Sequence, residues 1–200
     1  MSLSKDLLEE LYHQQRLSMA EIAERLGCSP NKVVYWMTKH GIPRRDTSEA
    51  IYQWHNPDGD PFDIRQPKTD EERELFQLAI GLYIGEGKKL DRSEVAIGNA
   101  NPRVIRVFMQ FLGDICGVNR SDLFAIINVF DDVDLEEVQV YWEQTTGLPR
   151  SQFHKPTVRP SKGGTYTNKS KYGTATVGVY NIKLHRIIQQ WCEEHLRKYS

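Results

Sequence analysis

Cysteine is scarce in this chain of 200 residues, and the three present, Cys28, Cys116 and Cys192, are odd in number and far apart. That spacing excludes a disulfide framework and a cysteine-rich zinc site, and it fits a reducing compartment. Six histidines are scattered with no HxxxH pairing, so no structural metal is expected from spacing. Long apolar runs are also missing. The best candidate, Leu78 to Gly85, is far shorter than the roughly 20 residues of a membrane span, so no membrane partner is expected. The opening Met-Ser-Leu-Ser-Lys runs straight into an amphipathic pattern, so no secretory leader is expected. There is no internal repeat, no P-loop spacing around Gly85-Glu86-Gly87-Lys88-Lys89, and no arguable Ser-His-Asp or Cys-His arrangement.

Net charge is also small, at −1, which by itself argues against a nucleic-acid binder. Its distribution argues the other way. No acidic residue falls between Glu143 and Glu193, whereas Arg150, Lys155, Arg159, Lys162, Lys169, Lys171, Lys183 and Arg186 all do. Acids crowd Asp58 to Glu74 and Asp131 to Glu143 instead. Charge alone leaves two readings of the basic segment open, a phosphate-binding surface or a solvated lysine-rich loop.

What is present reads as two folded parts. Helical periodicity covers Lys5 to Gln15 through Leu7, Leu8, Leu11 and Tyr12, then Ala20 to Leu26 ending at Gly27. Ser29-Pro30 opens a third helix that carries Val33, Val34, Trp36 and Met37 and stops at Gly41. Residues 1–45 therefore form an all-α domain. From 46 to 70 the composition shifts to Pro, Asp, Gly and Gln, which predicts a linker, with Tyr52 and Trp54 packing part of it down. Residues 71–200 interleave helices (71–85, 101–116, 134–146, 184–197) with strands (94–97, 123–129, 153–158, 174–180). This predicts an α+β domain.

Met19 to Thr38 fits a helix-turn-helix: Ala23 is the small residue where two helices cross, Gly27 the turn, and Val33 the packing position, with Ile22, Leu26 and Trp36 completing a small core. Such a unit offers its second helix to the major groove of double-stranded DNA. The residues facing base edges would be Ser29, Asn31, Lys32 and Tyr35. Asn31 suits adenine, and Lys32 and Lys39 suit guanine or phosphate. Arg44 and Arg45 follow the helix and suit the backbone or an adjacent minor groove. The stretch from Leu7 to the closing Gly-Ile-Pro-Arg-Arg resembles the helix-turn-helix units of site-specific recombinases and some homing endonucleases.

In the second part the informative stretch is Ala79-Ile80-Gly81-Leu82-Tyr83-Ile84-Gly85-Glu86-Gly87. Gly81 and Gly85 are one turn apart and leave a helix face bare, at a cost of roughly 1 kcal/mol each relative to alanine. Close approach of a second helix backbone is the usual reason for such a face. Glu86 is then delivered to the seam, and Gly87 is expected to cap the helix in the left-handed conformation.

This stretch resembles the LAGLIDADG motif of homing endonucleases and related DNA-binding proteins. Gly81, Leu82 and Gly87 match the motif, Gly85 replaces its alanine, Glu86 replaces its last aspartate, and Ile84 stands at its variable first aspartate. Ala96-Ile97-Gly98-Asn99-Ala100-Asn101-Pro102 resembles the family's strand-to-helix passage, and Tyr172 to Asn181 its last strand and following helix.

The resemblance covers about residues 71–200. It implies an α/β sandwich with an antiparallel sheet, Gly81 and Gly85 at a helix-pair interface, and Glu86 as metal ligand and catalytic acid for Mg²⁺. It also implies a basic residue near the metal-bound water, Lys169 or Lys171. Only one motif is present where two are needed, so a homodimer on a pseudo-palindromic site is expected.

The chain departs from the family after the motif. Only Lys88 to Asn99 precedes the next helix, too little for the family's long two-strand ribbon. The segment Lys155 to Lys171, with Lys155, Arg159 and Lys162, is the expected replacement, suited to phosphate contacts. Two functions remain open. One is a site-specific, metal-dependent endonuclease of homing type; the alternative is a DNA-binding transcriptional regulator that does not cut. Either is expected in the cytoplasm, at the nucleoid.

Overall fold

In the computed structural model, which describes residues 2–44, 47–88, 93–161 and 170–199, the chain divides into two compact units, Met1–Asp60 and Pro61–Ser200.

The first unit is helical. Helix α1 (Lys5–Glu9) passes into a π turn, Glu10–Gln14, so the single helix expected over 5–15 is wound two ways. Helix α2 (Met19–Arg25) begins at a reciprocal cap. The Ser18 hydroxyl accepts from the Glu21 amide, and the Glu21 carboxylate accepts from the Ser18 amide at 2.7 Å. Two of the orphan donors of the helix start are thereby satisfied. Helix α3 (Pro30–Lys39) follows a turn at Gly27, whose φ of +62° is open to glycine at little cost. Leu8, Ile22, Val33 and Met37 are fully buried in one core, together with Ala23 and Tyr12. Leu26 and Trp36 reach it only in part.

The expected linker is largely ordered. Thr47–His55 forms helix α4, and Asp63 and Arg65 donate their amides to Cys116 and Ile115 at 3.1 and 2.8 Å. Phe62 and Ile64 pack on the second core. Two apolar residues at alternate positions suffice to seat this stretch, and the surrounding Pro, Asp and Gly conceal them in a composition scan. Tyr52 is half-buried as expected, whereas Trp54 is 78% exposed.

The second unit is α+β. Helix α5 (Asp70–Glu86) is followed by β1 (Glu94–Asn99), α6 (Pro102–Asp114), β2 (Phe124–Phe130) and α7 (Leu135–Thr146). Then come β3 (Thr157–Arg159), β4 (Thr174–Tyr180) and α8 (Ile182–Leu196). Helix α5 starts at a second reciprocal cap, Thr69 with Glu72. The sheet order is β1-β4-β2-β3.

Strands β1, β4 and β2 pair antiparallel, but β3 runs parallel to β2. The sheet is therefore mixed and not the antiparallel one expected. The chain returns from β2 to β3 through α7, and a crossover of that length brings a strand back in the same direction. The strand expected over 153–158 is cut to Thr157–Arg159 plus a lone bridge from Phe153 to Ala125. Pro156, which has no N–H to donate, separates the two.

Alternation along each strand divides the sheet. Val95, Ile97, Ala125, Ile127, Val129, Ala175, Val177 and Val179 face a core shared with Ile80, Tyr83, Phe108, Phe111, Trp142 and Ile188. The alternate positions carry small or polar residues at Ala96, Gly98, Asn128, Thr176 and Gly178, and aromatic ones at Phe124 and Tyr180, whose rings stack at 4.3 Å.

Gly87 does not cap α5 in the left-handed conformation. Its φ of −68° and ψ of 141° are extended, and it bridges Ile97. Glycine is needed there for space, because a Cβ would collide with the Tyr83 carbonyl oxygen and lie 2.8 Å from the Tyr83 ring. Gly87→Ala should therefore destabilise the second unit by about 1–3 kcal/mol, the usual range for overpacking. Denaturant melting of the variant beside wild type checks this, and an unchanged midpoint would contradict it.

Candidate nucleic-acid interface

The first unit sorts its charge by element. Asp6, Glu9, Glu10, Glu21 and Glu24 belong to α1, the π turn and α2, whereas from Arg25 to Arg45 the chain carries basic residues and no acid. Within that stretch, α3 buries Val33 and Met37 and turns Asn31, Tyr35 and Lys39 to solvent.

Lys32 is half-buried and Arg44 exposed. Ser29 precedes the helix without a side-chain capping bond, so its hydroxyl is not used by the helix start. Tyr35 is 58% exposed and meets Trp36 edge-on at 5.4 Å. The Lys39 ammonium lies 4.6 Å from the Trp36 ring centroid and 5.9 Å from that of Tyr35. Lys39 is thus held against the aromatic pair by attraction to the ring faces, a contact the sequence reading did not anticipate. Arg45 lies outside the described residues.

In the second unit Gly81 and Gly85 are both exposed, and nothing lies within 4 Å of where a Cβ would stand at either. Leu78, one turn earlier on the same face, is 53% exposed. The helix therefore carries two glycines and a bare leucine on a face that the described residues of its own unit leave open. Glu86 is exposed at the end of this helix. Among the described residues no group of three His, Cys, Asp or Glu could hold a metal ion.

Behind Glu86 the chain is pinned by a pair that the sequence did not signal. Lys88 meets Glu94 at 2.8 Å, with the Glu94 side chain only 6% exposed. The Lys88 amide donates to Ala96. Gly87 and Lys88 are thus tied to β1, by a lone bridge to Ile97 and by the bond to Ala96.

Of the two basic residues expected near the metal-bound water, Lys169 lies outside the described residues and Lys171 is engaged by an acid. Lys171 pairs with Glu137 of α7 at 2.8 Å and donates to the Tyr172 hydroxyl at 2.9 Å. The bond to Glu137, and after it the bond to Tyr172, raises its pKa above the ordinary lysine value. Tyr172 in turn stacks on Tyr141 at 3.8 Å, and its carbonyl accepts from the Trp142 indole. This fastens the segment to α7. Lys155 and Arg159 are exposed around β3, while Lys162 and Lys169 lie outside the described residues.

No described helix is long and apolar enough to cross a membrane. No family model, curated protein or solved structure matches the chain.

Proposed function

We propose that this chain binds double-stranded DNA as a homodimer. The observation that carries the reading is the α2–turn–α3 unit. Ala23 and Val33 are buried at the crossing, Gly27 turns at φ +62°, and the exposed side of α3 belongs to a stretch with bases and no acids. A helix so mounted suits the major groove, and its cations suit the phosphates beside it. The bare glycine face of α5 supports the homodimer, since a second copy of the same face would bring two helix backbones close together. The resemblance to the LAGLIDADG motif supports both halves of this reading.

Cleavage is the more demanding proposal. It rests on Glu86, which is exposed at the end of the glycine face; two copies would bring two such carboxylates to one seam. The short sequence span from Lys88 to Asn99 and the engagement of Lys171 with α7 favour the second reading, a regulator that binds without cutting.

Incubating duplex enriched by binding to the protein with Mg²⁺ or Mn²⁺ separates the two. Endonuclease activity predicts defined cuts by wild type and at least a 100-fold loss in Glu86→Gln, with binding retained. Tight binding without cuts by either protein assigns the regulator.

A further inference from the structure

The exposed stripe of α3 carries a prediction about which bases are read, and it rests on the DNA-binding reading above. Asn31 and Tyr35 are four residues apart, so they share one face of α3, opposite the buried Val33 and Met37. Among the described residues the ring contacts of Tyr35 are an edge contact with Trp36 and the distant Lys39 ammonium. More than half of a large ring is left to water, on a helix whose other face is well packed.

The Asn31 amide presents a donor and an acceptor side by side. In the major groove only adenine offers the matching acceptor and donor, at N7 and N6; guanine shows two acceptors, cytosine a donor and thymine a lone acceptor. Thymine's C5 methyl is the one apolar group on any base edge there. It is the natural partner for an exposed aromatic ring. Four residues of helix advance about 6 Å, close to two base-pair steps of about 3.4 Å, so both contacts fall within one short run of a half-site.

We infer that Asn31 and Tyr35 are specificity-determining residues that together read an A·T-containing run, Asn31 taking an adenine edge and Tyr35 a thymine methyl. Lys32 and Lys39 flank them and supply charge that is indifferent to sequence.

The test uses the full chain and duplex enriched from a random pool, with base analogues placed one position at a time. Replacing the contacted adenine by 7-deazaadenine removes only the N7 acceptor and should weaken wild-type binding about tenfold, the effect of losing about 1.4 kcal/mol. Replacing a thymine within two steps by uracil removes only the methyl and should weaken binding several-fold. Asn31→Ala should be indifferent to the first change and Tyr35→Ala to the second. Both variants should melt like wild type and keep its salt dependence, because neither side chain neutralises a phosphate. Wild type indifferent to both analogues at every position, or variants that remain sensitive, would overturn the inference and leave DNA binding standing. Failure to enrich any duplex would overturn both.

Discussion

Replacing Gly81 by leucine should split the homodimer while making each subunit more stable. In the isolated subunit the new side chain meets open space, with nothing within 4 Å of the Cβ position. The helix interior also gains most of the roughly 1 kcal/mol that separates glycine from a good helix former. At a glycine-to-glycine crossing the same side chain would push two backbones apart, and symmetry applies the change twice. Overpacking of about 1–3 kcal/mol per copy amounts to a dissociation constant raised about 30-fold or more. Sedimentation should show monomers at concentrations where wild type is dimeric, with a melting temperature equal to or above that of wild type diluted to monomer. Gly85→Leu should behave alike. If the variant remains a dimer, the subunits meet elsewhere. If it unfolds, the face is not open.

Lys32→Ala and Arg44→Ala should each weaken DNA binding, and in a way that identifies the lost contact. Each phosphate contact contributes about 0.9 to the slope of log affinity against log salt. In a homodimer every substitution removes two contacts, so a phosphate-bound residue should lower the slope by about 1.8. Combining the two substitutions should lower it by about 3.6 if both residues meet phosphate. The measurement is a salt titration of affinity on one enriched duplex. Slopes unchanged from wild type in both variants would remove α3 and its C-terminal arm from the interface.

The features that were legible in the sequence share a cause. Helix starts and stops are set locally. Ser29-Pro30, Asn101-Pro102 and Gly27 act through their own backbone geometry, and each stands where the sequence placed it. The two reciprocal caps, Ser18 with Glu21 and Thr69 with Glu72, carry the same kind of local signal, an [ST]xxE spacing that the sequence reading did not pick out.

What escaped depended on partners distant in the chain. The parallel β3 follows from where α7 returns the chain, which no local pattern encodes. The ordering of 61–65 depends on the carbonyls of Ile115 and Cys116, some fifty residues away. Gly87 is the local exception: it is glycine because a Cβ would collide with the Tyr83 carbonyl and ring one turn earlier, and not because of the left-handed cap that glycine usually suggests.

The site divides along the same line. Asn31 and Tyr35 are exposed where the helix-turn-helix template put them, Lys32 is half-buried, and Gly81 and Gly85 share an open face as their one-turn spacing implied. The engagement of Lys171 with Glu137 required knowing that α7 lies beside it. Leu78, the apolar residue that completes the bare face of α5, was there to be found by stepping back one turn from Gly81.

The measurement that bears most directly on the central claim is the composition of the complex formed on duplex enriched from a random pool. The account predicts enrichment of a pseudo-palindromic sequence bound by two chains, read as the mass of the complex by sedimentation or native mass spectrometry. A pool that yields no sequence above background, or a single chain on a site without two-fold repetition, would contradict it.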